Sequence, residues 1–290
     1  MTEAALAQRP GTIRRAIGPQ LGRLGWVGIG SAVVIVLLAL MAIFAPLLAP
    51  QDPNAIDLLH PNAGATSQHL LGTDDTGRDL LSRLIVGSRT SLLGPLLAVL
   101  LEVVIGVPIA LAAAWNGGVV DGVISRVLDV LFAFPGILLA ILIIALFGAG
   151  LRSAIVALAV AHLPYLARIT RGAAIRERRL PYVEALELQG FSGIRICARH
   201  LTPNLLPLIV AQACVSFGYV MIDLAALSFL GLGVQPPTAD WGVMISTGEQ
   251  SLLAGHPQQS MYAGLMIVVA VCAFTLFGER LVDYDRADAG

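Results

Sequence analysis

Trp26-Val27-Gly28-Ile29-Gly30-Ser31-Ala32-Val33-Val34-Ile35-Val36-Leu37-Leu38-Ala39-Leu40-Met41-Ala42-Ile43-Phe44-Ala45-Pro46-Leu47-Leu48-Ala49 contains no charged side chain. Crossing roughly 30 Å of hydrocarbon at about 1.5 Å per helical residue takes about 20 apolar residues, so this run predicts a membrane-spanning helix. It is too long for the apolar segment of a signal peptide, and no A-x-A cleavage pattern closes it; Pro46 and Pro50 end it instead. Five further apolar runs follow, at Leu92–Trp115, Val130–Phe147, Ser153–Ala167, Leu205–Leu232 and Met261–Gly278, the fourth being the shortest. The expectation is an all-α polytopic membrane protein with six transmembrane helices. Continuous apolar runs, without the period-two alternation of a membrane barrel, leave helices as the way to satisfy backbone groups in lipid.

Composition agrees. With 57% hydrophobic residues, 13% charged residues and a mean hydropathy of +0.81, a water-soluble globule of 290 residues is excluded. The net charge of −1 supplies no basic field for nucleic acid. Cys197, Cys214 and Cys272 have no paired or metal-ligand spacing, so they read as small apolar residues. All 18 basic residues are arginine, and the absence of lysine removes a phosphate-binding P-loop and Schiff-base chemistry from this chain. If nucleotide drives the protein, the nucleotide sits on another chain.

Arginine asymmetry gives an orientation. With the amino terminus inside, the cytoplasmic side carries Arg9, Arg14, Arg15, Arg23, Arg126, seven arginines between Arg168 and Arg199, Arg280 and Arg286, while Arg78, Arg83, Arg89 and Arg152 fall outside. Fourteen against four places both termini in the cytosol. The boundaries read as a cytoplasmic tail (1–25), a first transmembrane helix (26–49), an extracytoplasmic segment (50–91), a transmembrane core (92–281) carrying a cytoplasmic hairpin (181–203), and a cytoplasmic tail (282–290). The extracytoplasmic segment is dominated by turn chemistry, with Asp52-Pro53-Asn54, His60-Pro61-Asn62 and the glycine-flanked Asp74, Asp75 and Asp79. The twelve-residue calcium-loop pattern is absent there. A second outside stretch, Val234–Gln259, offers Trp241 as an interfacial anchor.

The hairpin is the most informative stretch. Pro181 suits the first turn of a short helix, Gly190 suits a left-handed cap, and Ser192 suits the N-cap of a second helix, with Pro203 marking where that helix stops or becomes the next span. From spacing alone, this is equally a basic surface hairpin resting on anionic lipid.

The run Glu184-Ala185-Leu186, three residues, Gly190, nine residues, His200-Leu201-Thr202-Pro203 resembles the E-A-A…G…I-x-L-P signature of ABC importer permeases. Leu186 stands where that pattern has a second alanine, and Thr202 where it has leucine. Gly72-Thr73-Asp74, Gly77-Arg78-Asp79, Ala133-Phe134-Pro135, Arg199-His200-Leu201 and the Leu227–Gly233 run followed by Trp241-Gly242 resemble the dipeptide/oligopeptide/nickel branch, and within it the second, C-type subunit. The resemblance implies a type I importer fold in a bacterial inner membrane. It implies a homologous second permease, two cytoplasmic ATPases holding ATP and Mg, an extracytoplasmic solute-binding protein, and a peptide cargo. It also implies that Glu184, Ala185, Leu186, Gly190, Arg199, His200 and Pro203 couple the chain to an ATPase. Leu186 would then add bulk at the docking face.

Glu102 in the second span and Asp223 in the fifth are carboxyls within hydrocarbon, where insertion costs about 2.5–3.5 kcal/mol, so both should face protein or water. They are path-lining candidates, and they also keep open the alternative of an ion- or proton-coupled secondary transporter. His162 reads as a hydrogen-bonded packing group, and Arg126 with Asp129 as an interfacial i,i+3 pair. His60, His69 and His256 share no ligand spacing. No cofactor, metal site or catalytic group is expected in this chain.

Overall fold

A computed structural model describes residues 25–288, with side chains through Leu281. The expected amino-terminal tail with Arg9, Arg14, Arg15 and Arg23, and the Arg286 side chain, lie outside the described residues. Among the described residues the regular elements are helices: α1 (Gly25–Ile43), α2 (Ala45–Leu48), α3 (Leu80–Asn116), α4 (Gly118–Phe132), α5 (Gly136–Phe147), α6 (Leu151–Arg178), α7 (Pro181–Leu188), α8 (Gly193–Ile196), a π-turn (Cys197–Leu201), α9 (Thr202–Phe229), α10 (Trp241–Thr247), α11 (Glu249–Leu253) and α12 (Gln258–Asp288). Five helical stretches are long and apolar enough to cross a membrane, and α4 with α5 makes a sixth, broken one.

Several boundaries differ from the sequence reading. The second span begins three turns early, because Asp79 caps α3: its Oδ2 accepts from the Ser82 amide at 2.8 Å and the Ser82 hydroxyl at 2.6 Å. Residues 80–91 therefore belong to the helix and not to the outside segment. The third span is two helices bent by 89° at Ala133-Phe134-Pro135, where Pro135 is the N-cap of α5. The fourth span runs to Arg178, well beyond Ala167, with Pro164 inside the helix. At Pro203 the second of the two outcomes the sequence allows is the one seen: the helix does not stop there but becomes the next span. The second arm of the hairpin runs straight through the π-turn into that span.

Close helix packing uses small residues, as lipid requires. A Cβ on Gly278 of α12 would come within 2.7 Å of the Ala211 carbonyl on α9, and one on Gly218 of α9 within 2.6 Å of Thr275. Phe217 and Phe274 stack at 3.7 Å between the same helices. The main core joins α1, α3, α6, α9 and α12 around Leu84, Leu158, Val220, Leu224 and Ala270.

The segment before α3 is a hydrogen-bonded knot at the end of the bundle away from the hairpin. Asp74 is fully buried and accepts from the Thr76 and Arg78 amides, the Thr76 hydroxyl and Arg78 Nε, the last at 2.6 Å. Arg83, 1% exposed, lies 3.7 Å from the same carboxylate and donates to the Pro53 carbonyl. Asp79 also meets His69 Nδ1 at 3.1 Å. These aspartates are engaged by their own loop. Trp241 is not an interfacial anchor: it is fully buried, its Nε1 donating to the Leu84 carbonyl at 2.9 Å, while Ser91 Oγ donates to Asp240 and accepts from the Trp241 amide. Burial of the indole with its one donor satisfied ties α10 to α3. Truncating it by Trp241→Ala is expected to cost about 3–5 kcal/mol, read as a large fall in the thermal midpoint of the detergent-purified protein. A midpoint within a degree of the parent would contradict this packing role.

Candidate functional site

Two features stand out: the hairpin at one end of the bundle, and a set of ionisable side chains inside it. The hairpin opens at Pro181 in the first turn of α7. Gly190, at φ +81°, occupies the left-handed conformation that turns the chain, with its amide bonded to the Glu187 carbonyl. Ser192 is the N-cap residue of α8 by backbone position, without a side-chain cap bond.

The hairpin's base is rigid. Tyr182 donates to Glu177 Oε1 at 2.7 Å, and Asn204 Nδ2 donates to the same oxygen at 2.8 Å, so one carboxylate joins α6, α7 and α9. Burial, and then the Glu177 carboxylate, push the Tyr182 phenol above its ordinary range, which keeps it a neutral donor. Arg178 lies over the Trp115 ring at 4.6 Å and donates to the Ala114 carbonyl, fixing the end of α6 to the end of α3. A Cβ on Gly193 would run into that same ring. Arg195 covers Phe191 at 4.7 Å, and Phe191 meets the His200 ring edge-on at 6.5 Å.

The predicted coupling residues fall on different sides of this structure. Glu184, Ala185, Gly190, Arg199 and Pro203 are exposed, while His200 is half-buried. Leu186 points the other way: it is half-buried against the cluster that holds Val183, Ile196 and Leu201, so its bulk fills the hairpin's own core and not the outer face. Two residues unmarked by the sequence reading are 83% and 85% exposed: Leu188, one turn after Glu184 on the first arm, and Ile194 on the second. The signal that could have found them is an apolar residue at the outer positions of each arm. A groove of about 770 Å³ opens next to them, walled by Leu111, Trp115, Gly193, Ile194 and Cys197.

Within the bundle, Glu102 of α3 is fully buried; Oε1 accepts from the Ser216 hydroxyl of α9 at 3.1 Å, and Oε2 has no partner among the described residues. It joins two helices and reaches no open surface. Asp223 behaves differently, its Oδ2 lying 2.9 Å from His162 Nε2 on α6, with the two side chains 25% and 18% exposed. Spacing along the chain gave no hint of this pair, because the partners are 61 residues apart. Asp129 does not pair along its own helix with Arg126; it accepts from Arg168 of α6 at 2.8 Å, and Asp121 is held by Arg171. These two bonds clip the amphipathic α4 to α6. Among the described residues, no three His, Cys, Asp or Glu side chains converge to hold a metal ion.

Removing the Glu102 carboxyl leaves both a void and an unpaired Ser216. Glu102→Ala is expected to lower stability in detergent by about 2–4 kcal/mol, and the volume-conserving Glu102→Gln by about 1 kcal/mol or less. Equal thermal midpoints for the two variants would contradict a helix-joining role.

Residues 106–285 match a family described as "Binding-protein-dependent transport system inner membrane component", and residues 26–65 match "N-terminal TM domain of oligopeptide transport permease C". Over 258 residues the chain is 37% identical to the glutathione transport system permease protein GsiD of Pectobacterium atrosepticum, covering 89% of this chain and 85% of that one. It is 37% identical over 252 residues to the nickel transport system permease protein NikC of Escherichia coli, with 87% and 91% covered. It is 38% identical over 261 residues to the di/tripeptide transport system permease protein DppC of Pseudomonas aeruginosa, with 88% and 86% covered. The fold is similar to that of a chain from the inward-facing MetNI methionine ABC transporter, with a TM-score of 0.57 at 21% identity, over 71% of this chain and 97% of that one.

Proposed function

The chain belongs to the binding-protein-dependent transport system inner membrane components, and from that premise we propose that it forms half of the translocation path of an ATP-driven peptide importer. A homologous second permease supplies the other half. Two cytoplasmic ATPases grip the hairpin, and an extracytoplasmic solute-binding protein delivers the cargo. Both termini face the cytosol, and ATP with Mg binds the ATPases, this chain having no lysine with which to build a P-loop of its own.

The observation that carries this reading is the hairpin tip. Glu184 and Ala185 stand exposed with Leu188 and Ile194, on a base that the Tyr182–Glu177–Asn204 bonds hold to two spanning helices. Two leucine-type side chains left more than four-fifths exposed, next to a carboxylate, suit a protein groove with an apolar floor and a basic or amide-lined rim. Force applied there reaches α6 and α9 together, since the second arm continues into α9 without a break. Peptide cargo is the reading that the dipeptide and di/tripeptide permease relatives support.

The test is co-purification of the four-component complex from membranes. Glu184→Ala and Gly190→Pro are expected to lose the ATPases, or to uncouple ATP hydrolysis from uptake, while the two permeases remain associated. Replacing Gly190 is severe because φ +81° is forbidden to proline and costly for other residues. Retention of both ATPases with full coupling in both variants would refute the docking role. Peptide uptake that survives ATP depletion but collapses with an uncoupler would replace an ATP-driven importer with a proton-coupled one.

A further inference from the structure

The exposed faces of α1 and α12 are what lipid requires: Val33, Val36, Leu37 and Leu40 on one, Met261, Leu265 and Val268 on the other. The face of α6 is different. One of its faces carries the half-buried His162 and the exposed Tyr165, three residues apart, with the exposed Arg168 three residues further on at the cytoplasmic end of the span. α6 is also the least hydropathic of the five long spans. Against lipid, a half-open ionisable pair such as His162 and Asp223 would cost a few kcal/mol, so this face is turned to water or protein. α9 adds Tyr219, 55% exposed, and Asp223 one turn further on. The His162–Asp223 bond thus joins two half-open side chains within the spans, with an exposed phenol one turn away on each helix.

We propose that this face of α6 and α9, from Tyr165 to Tyr219, is part of the wall of the translocation path and that Asp223 is a specificity-determining residue on it, which binds the α-ammonium group of the passing peptide in place of His162. The proposal rests on the peptide reading given above. His162 offers Asp223 a single ring N–H, through a bond to one carboxylate oxygen. An ammonium brings three donors and a full positive charge to the carboxylate, where the neutral imidazole brings one donor, so a free amine displaces the imidazole and releases it again when the cargo moves on. Glu102 does not compete for the amine, because it is sealed between α3 and α9. Arg168 is already engaged by Asp129, which limits its repulsion of a cation. Tyr165 and Tyr219 give the peptide backbone apolar flanks with hydroxyl tips.

Two measurements on the complete complex in proteoliposomes decide the matter. The first follows uptake of alanyl-alanine at fixed ATP. Asp223→Asn is expected to reduce uptake about tenfold or more, the loss of one bond to a charged group, with assembly and ATP hydrolysis retained. His162→Gln, which removes the displaced partner and keeps the carboxylate, is expected to retain uptake. Unchanged uptake in Asp223→Asn, or an equal loss in both variants, overturns the proposal, the latter by marking the pair as structural.

The second measurement needs no cargo and uses a background with the native cysteines replaced. A Tyr165→Cys thiol is expected to react with water-borne methanethiosulfonates far faster than a Leu37→Cys thiol on α1. It should also favour the aminoethyl over the sulfonatoethyl reagent, by a ratio that falls at least threefold when Asp223→Asn is added. Equal reactivity at the two positions, or an unaltered ratio, overturns the proposal. Absence of peptide uptake by the intact parent complex would instead refute the peptide reading, and the reagent ratio would be unaffected by that failure.

Discussion

Inside hydrocarbon a backbone amide has no partner except its own helix, and this constraint organises the whole chain. It makes each span a stiff rod and confines conformational freedom to the places where rods end or are interrupted. Those places are few: the corner at Ala133-Phe134-Pro135, the glycine-led joints at Gly117 and Gly148–Gly150, the Leu230–Gly233 turn and the π-turn at Cys197–Leu201. Each is closed by local bonds, such as the Gly150 amide to the Leu232 carbonyl and the Thr202 hydroxyl to the Cys197 carbonyl. A bundle of this kind moves by tilting its rods about their joints, since the rods themselves cannot stretch.

The two ends of the bundle solve different problems. At one end, Asp74 and Arg78 bond each other, Asp79 accepts from Ser82 and Arg83 donates to the Pro53 carbonyl, so a segment without helices is tied down by its polar side chains. Buried carboxylates there are satisfied by amides and guanidinium groups at short range, the condition under which buried charge is tolerated. At the other end, the polar bonds are spent on the base of the hairpin and the apolar side chains are left outside.

How much of this could be read from the sequence follows from what sets each feature. The spans were legible because an apolar run of 20 residues has few alternatives, and the Pro181 and Gly190 signals marked the hairpin because both residues restrict backbone torsions. The first three turns of α3 were not legible, since Arg83 and Arg89 look like loop residues until the Asp74 knot that receives Arg83 is in place. The bend after Phe132 needed Pro135 to be weighed as a break within one apolar run. Trp241 was misjudged because burial of an indole depends on a carbonyl, Leu84, from a distant helix. Leu186 was misplaced because a short helix has no outer side until its neighbours are known. The His162–Asp223 and Arg168–Asp129 bonds were invisible for the same reason: they depend on how helices face one another, which period and composition do not encode.

The wide turn at Cys197–Leu201 carries a further consequence. An α-helix advances about 100° per residue, so a single surplus residue in a π-turn rotates everything beyond it by about that angle relative to everything before. The surplus lies between the outer arm of the hook and the span that bears Asp223. It therefore acts as an angular offset that sets the direction of the Asp223 carboxylate on α9 relative to the hairpin. A chain shortened by one residue there would keep both parts and lose their phase.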